Sequence, residues 1–373
     1  MQNSDFTICA LLTVCLALSS CSNSETFIIN GTINADSGRV TLTYYPNQNY
    51  YPDYLKEVIA EVKHGEFTLR GPLHDPTGFV LLYEDSYHSK QFIVEPGTQK
   101  MIVDVTSHEM PFLQNASMQE YRDVYLPNFD IIDKKMEEFD SRLDSLKGIG
   151  KDISSEFKLS MDTELKEIYA KSDTILLNYI AKNPDSYYAL WHVIRLFNFD
   201  GYNPIFASML SNFSTEIRGL HSTKTLEDNL YQSKRVSIGN PFPELKLFDI
   251  DSILIEKYKP QVVKYLLVDF WYSNCHPCIA QFPEFKAIQE EYKDKGFDII
   301  GISSDRAKDY QKWEKAISKY ELPWKQYLDM DGKQCRQLFI NRFPTNFLLD
   351  SKGVIIEKDL RPSELAKFLN EKY

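Results

Sequence analysis

No cluster of Lys and Arg occurs anywhere along the 373 residues, and acidic side chains outnumber basic ones by 53 to 42. Nucleic-acid binding rests on such clusters, so that class of function is excluded. The net charge of −11 otherwise implies only solubility. Long apolar runs are equally scarce. The clearest, Phe6 to Ser20, is too short for a comfortable transmembrane helix but has the length of a signal-peptide core. Cysteine is rare as well: Cys9, Cys15, Cys21, Cys275, Cys278 and Cys335 are too few for a disulfide framework. His64, His74, His88 and His108 show no metal-ligand spacing, and no histidine follows His276, so no metal site is implied.

What is present centres on Phe270-Trp271-Tyr272-Ser273-Asn274-Cys275-His276-Pro277-Cys278. The preceding Tyr265 to Trp271 run is short, apolar and rich in strand formers, as a strand buried on both faces should be. After it, Ile279, Phe282, Phe285, Ile288 and Tyr292 recur at helical spacing. The two cysteines therefore sit at a strand-to-helix junction. There a thiol meets unpaired backbone N–H groups and the positive end of the helix dipole, which favour thiolate. Cys275 is the natural nucleophile, and Cys278, one turn on, can close a disulfide with it.

These residues resemble the thioredoxin-like thiol–disulfide oxidoreductases, most closely the membrane-tethered TlpA/ResA group. The resemblance rests on Val268-Asp269-Phe270-Trp271 ahead of Cys275-His276-Pro277-Cys278, on Pro283 in the following helix, and on Phe343-Pro344-Thr345 ahead of the apolar strand Asn346 to Leu349. It covers roughly the last third of the chain. It implies a Cys275–Cys278 redox disulfide, no bound cofactor, and a cis Pro344 beside Cys275. In thioredoxins the carboxylate matching Asp269 relays the proton of the second cysteine, here Cys278. Many TlpA/ResA members place Asn on the strand and Glu on the helix instead; Gln281 holds that helix position here. Asn274 and Phe343 depart from the family pattern at the partner-binding surface, so substrate choice does not transfer.

Environment supports several of these roles independently. Asp269 is a lone carboxylate in an apolar strand, so desolvation should raise its pKa. His276 between the cysteines would, when protonated, stabilise the Cys275 thiolate and raise the potential. The resemblance also implies that Trp271 lies close to the disulfide. Cys335 has no motif around it and reads as a bystander.

Leu18-Ser19-Ser20-Cys21 resembles the lipobox of bacterial lipoproteins, which implies a signal peptide over 1–20, lipid on Cys21 and a tether over 21–26. Met1 to Asp5 lacks the positive charge usual ahead of such a core. From 27 to 106, short alternating runs separated by turns predict a β-rich domain, a sandwich or barrel, with a hairpin at His64-Gly65. It resembles the β-rich domain of unknown function that precedes thioredoxin modules in bacterial lipoproteins. From 107 to 235 the pattern is helical. Stripes from Phe129 to Leu146 and from Ile153 to Tyr179 predict an αα-hairpin turning at 147–151. Gly239, Pro241 and Pro243 mark the last boundary, and 236–373 reads as an α/β domain on one central sheet.

The expected protein is thus a multidomain, lipid-anchored, periplasm-facing oxidoreductase of the bacterial envelope. Its partners would be disulfide- or dithiol-containing envelope proteins and a membrane reductant or oxidant that resets the pair. Two other classes compete. A thiol peroxidase should show Pro and Thr or Ser where Val268 and Tyr272 stand. A non-enzymatic binding lipoprotein would use the cysteines as a staple, at a potential below about −300 mV.

Overall fold

In a computed structural model the chain is described over residues 26–45, 47–84, 86–107, 110–147, 154–260 and 264–373. The leader, Cys9, Cys15, Cys21, nearly all of the tether, His108 and residues 148–151 lie outside these segments.

The first part is a β-sheet of nine strands. They are β1 (Thr26–Ile33), β2 (Ser37–Tyr44), β3 (Val58–Lys63), β4 (Glu66–Pro72), β5 (Thr77–Tyr83), β6 (Tyr87–His88), β7 (Phe92–Val94), β8 (Gly97–Val103) and β9 (Phe112–Gln114). Along β1 the side chains alternate, with Phe27, Ile29 and Ile33 inside, so one face is committed to a core. His64 and Gly65, both at positive φ, turn β3 into β4 as expected. The β-rich expectation holds. The strands run in the order β6-β5-β2-β3-β4-β1-β8-β9 with β7 on β5, and β3 and β4 share only the pair Lys63–Glu66, so two groups of strands join at that hairpin. No barrel closes the sheet among the described residues, since β6 and β9 end the path without pairing to each other.

Seven helices follow: α1 (Ala116–Glu120), α2 (Leu126–Lys147), α3 (Ser155–Lys182), α4 (Tyr187–Asp200), α5 (Ile205–Asn212), α6 (Thr215–Gly219) and α7 (His221–Ser233). A π-helical turn at 121–125 joins α1 to α2. Ile132 and Phe139 on α2 meet Met161 and Ile168 on α3, which makes the expected αα-hairpin. Ser186 caps α4 by accepting from Ala189 N–H at 3.2 Å. That helix drives Trp191 against the sheet, where its ring lies 5.2 Å from Tyr51. One apolar core runs without interruption from Phe27 to Leu230. The strands share this core with α1, α4, α5, α6, α7 and parts of α2 and α3, while Ile132, Phe139, Met161 and Ile168 form a separate cluster.

The last part is a seven-stranded sheet in the order β11-β10-β14-β13-β12-β15-β16. Its elements are β10 (Leu245–Phe248), β11 (Leu254–Tyr258), β12 (Tyr265–Trp271), α8 (His276–Tyr292), β13 (Phe297–Ser303), α9 (Tyr310–Tyr320), β14 (Lys325–Leu328), α10 (Lys333–Gln337), β15 (Thr345–Asp350), β16 (Ile355–Lys358) and α11 (Pro362–Lys372). β12 pairs parallel with β13 and antiparallel with β15, which makes it a central strand. Leu267 and Trp271 face a core with α8, α9 and α11, while Leu266, Val268 and Phe270 face a second core with Cys335 and Leu338. Burial on both faces is what its unbroken apolar run foretold.

The two parts meet through ion pairs. Arg342 bonds Asp200 at the end of α4 (3.1 Å) and Asp359 (3.2 Å). Arg361 pairs with Asp162, and Lys166 with Glu364, between the ends of α11 and α3.

The sheet-to-helix packing in the first part has a tight point at Gly78. A Cβ there would lie 2.8 Å from the Trp191 ring and 2.6 Å from the Gln91 side chain. Gly78→Ala should therefore destabilise the sheet-and-helix unit by about 1–3 kcal/mol, the usual range for overpacking. Urea unfolding followed by far-UV circular dichroism checks this, with the midpoint of the first part falling.

Candidate active site

Two elements meet at the cysteines. β12 ends at Trp271, and Cys275 N–H donates to Tyr272 O at 2.9 Å, which turns the chain into α8. Cys275 caps that helix: its Sγ accepts from Cys278 N–H at 3.2 Å. One otherwise unpaired helix donor is thus aimed at sulfur, the arrangement that favours a thiolate. Pro277 stands in the first turn, where a missing N–H leaves no bond unmade. The two sulfurs are joined as a disulfide, with Cα atoms 5.3 Å apart. Both cysteines are 1 % exposed, whereas His276 and Pro277 are at the surface.

The loop ahead of Cys275 is held from below by a residue that sequence reading missed. Asp305 accepts from Ser273 N–H (2.8 Å), from Ser273 Oγ–H (2.7 Å) and from Ser303 Oγ–H (2.7 Å). Ser304 N–H adds a bond to Trp271 O at 2.9 Å. The only signal in the chain was a carboxylate two positions past the end of a strand, a spacing common to many unrelated loops.

Asp269 lies on the face of β12 that α8 covers, in step with Leu267 and Trp271. It is 1 % exposed, and its Oδ1 has no hydrogen-bond partner among the described residues. Burial alone pushes its carboxyl up to about 8. Its neighbours across the sheet are Gly301 and Asn346. Trp271 stands edge-on to Phe282 with centroids 5.3 Å apart, and its Nε1–H donates to Gln326 Oε1 at 3.1 Å. Gln281 Oε1, on α8 one turn past Cys278, is another buried acceptor without a partner among the described residues.

The Phe343–Pro344 bond is cis, as the sequence reading expected. The Phe343 ring packs against the core that holds Cys275 and Cys278 and stands edge-on to Tyr272, centroids 5.4 Å apart. Trp271, Phe343 and both cysteines are thereby brought together, with Asp269 beneath them on the same side of the sheet. Cys335 is not part of this group. It lies in the core on the opposite face, and burial, reinforced by Asp329, pushes its thiol well up. A cavity of about 1350 Å³ in the first part, walled by Tyr125, Tyr188, His192 and Arg195 and reaching Arg342, contains no cysteine.

Residues 238–358 match the AhpC/TSA family, and residues 27–120 match a domain of unknown function, DUF4369. The chain is 30% identical over 147 residues to the thioredoxin-like protein YneN of Bacillus subtilis, covering 37% of this chain and 82% of that one. It is 27% identical over 135 residues to the thiol-disulfide oxidoreductase ResA of Bacillus cereus, covering 36% and 76%. The protein belongs to the thioredoxin-like thiol–disulfide oxidoreductases. A thiol-disulfide oxidoreductase from Bacteroides fragilis of known structure is 32% identical and is matched over its whole length, which is 36% of this chain, with a TM-score of 0.33. In this enzyme the kinship lies in the last third of the chain, the part that carries the disulfide.

The carboxyl of Asp269 makes folding stability depend on pH. Its folded pKa, about 8, lies above the unfolded value of about 3.9, so between these limits the folded state holds a proton that the unfolded state releases. Stability should fall as pH rises through that window, by at most about 1.4 kcal/mol per unit, and level off above it. With the disulfide intact, Asp269→Asn should flatten the slope and be the more stable protein at high pH. Denaturant titrations of both proteins across the window check this.

Proposed function

We propose that the enzyme is an envelope-tethered thiol–disulfide oxidoreductase working through the dithiol of Cys275-His276-Pro277-Cys278. The observation that carries this reading is a disulfide at the N-terminus of α8, on the same side of the sheet as a buried Asp269 whose Oδ1 has no hydrogen-bond partner among the described residues. In the reducing direction the Cys275 thiolate attacks a partner disulfide, forming a mixed disulfide and releasing one partner sulfur as thiolate. Cys278 then attacks Cys275 Sγ, its thiol proton passes to the Asp269 carboxylate, and the second partner sulfur leaves. The oxidising direction is the same path reversed.

Disulfide- or dithiol-bearing envelope proteins are the proposed partners, with a membrane reductant or oxidant resetting the pair. Pro344 and Phe343 form one side of the docking rim, Tyr272 and the exposed His276 and Pro277 the other. Trp271 backs the disulfide from within the core. Lipid on Cys21 is the proposed anchor, because Leu18-Ser19-Ser20-Cys21 has the form of a lipobox. The domains then stand in the periplasm.

Two experiments test the reading. Cys275→Ser should lose dithiol exchange with a model disulfide protein, while Cys278→Ser should accumulate a mixed disulfide visible on a non-reducing gel. Retained turnover in the Cys275 variant would sink the mechanism. For the anchor, labelled fatty acid should enter the native protein in cells, and Cys21→Ala should lose both label and membrane retention. An unlabelled, fully soluble native protein would remove the tether from the proposal.

A further inference from the structure

A glycine interrupts the apolar row of β13 directly beside Asp269. Gly301 pairs with Asp269 on one side and with Gln326 of β14 on the other, so the three share a face. A Cβ on Gly301 would meet Gln326 Oε1 at 2.2 Å and its Nε2 at 2.8 Å, so the Gln326 amide fills the place where that side chain would be. Neighbouring strands are about 5 Å apart, so the amide stands roughly one strand spacing from the Asp269 side chain. Its Oε1 is taken by Trp271 Nε1–H, and its Nε2 is a buried donor with no partner among the described residues. Asp269 Oδ1 is a buried acceptor in the same position. Asn346, the neighbour on the other side, is already committed: its Nδ2 donates to Leu360 O at 2.8 Å and its Oδ1 accepts from Leu360 N–H at 2.9 Å.

Two unmet groups of opposite hydrogen-bonding type, separated by a glycine on one dry face, are each costly to keep apart. We propose that Gln326 is a positioning residue for the proton step: its Nε2–H donates to the ionised Asp269 carboxylate, directly or through one water. The inference rests on Asp269 serving the dithiol. During resolution the S–S bond to the partner breaks, the Cys275–Cys278 bond forms, and the Cys278 proton moves to Asp269. The Gln326 amide sets how readily the carboxylate waits in its ionised form.

Two further buried polar atoms on the covering helices, Gln281 Oε1 on α8 and Trp313 Nε1 on α9, also have no partner among the described residues. On α8 the buried side chains of this face are Cys278, titratable once reduced, then Phe282, Phe285, Ile288 and, at the far end, Tyr292. α9 contributes Trp313 and Ala316 with the half-buried Tyr310 and Tyr320, while Lys312, Glu314, Lys315 and Lys319 are all turned outward, and α11 buries Pro362, Leu365 and Leu369. Asp305 stands past the end of β13, bonded to Ser273 and Ser303.

The test is an infrared titration of the full-length protein, following the Asp269 carboxyl band identified by its loss in Asp269→Asn. Gln326→Met keeps the volume and removes the free donor together with the acceptor of Trp271 Nε1–H, and Gly301→Ala displaces the amide. Each should move the Asp269 midpoint upward by about one to two pH units, since a hydrogen bond to a charged group is being removed. The acidic limb of the exchange rate should move with it. An unchanged midpoint in Gln326→Met, with the near-UV spectrum of the tryptophans intact, overturns the proposal, and this variant decides should Gly301→Ala fail to fold. The infrared signal needs no turnover. A shifted midpoint with an unshifted rate limb would uphold the Gln326–Asp269 contact and overturn the relay role of Asp269.

Discussion

A strand sealed on both faces governs everything around the disulfide. β12 has helices over one face and a second apolar core under the other, so any polar group on it is cut off from water and answers only to its immediate neighbours. Asp269 holds its proton to an unusually high pH for that reason. Trp271 must find its acceptor inside the protein and takes Gln326. The loop to Cys275 needs internal acceptors too, which Asp305 supplies.

Much of this was legible because it is local. Phe270 to Cys278 carries a change of hydrophobic period, two cysteines one turn apart and a carboxylate in an apolar run, all within a few residues. The thioredoxin-like order of strands and helices from 245 onward follows for the same reason, as does the cis bond at Pro344, through its neighbours in the family pattern. Gln326 and Asp305 were not legible, because their meaning depends on the pairing of β13 with β12 and β14, and register is a property of the folded sheet. Gly301 alone could have hinted at it, since a glycine inside an apolar strand often marks a close approach.

The first part shows the opposite balance. Its strands could be read from alternation, yet their packing against a shared helical core could not. Alternation reports which face is buried but not what buries it. Trp191, far along the chain from Gly78, fills that role, and the contact has no trace in either local pattern. The junction between the parts is equally opaque, since Arg342 and Asp200 are ordinary surface charges until the fold brings them together.

The concealment of the disulfide has a consequence for selectivity. With both cysteines 1 % exposed, reach is not conferred by reactivity alone. A small thiol arrives with little contact surface to offset the local opening that attack on a buried sulfur requires. A protein that lays a segment across Phe343 and Pro344 supplies that surface as it docks. Burial of this kind favours exchange with a protein that first binds over exchange with a small thiol from solution.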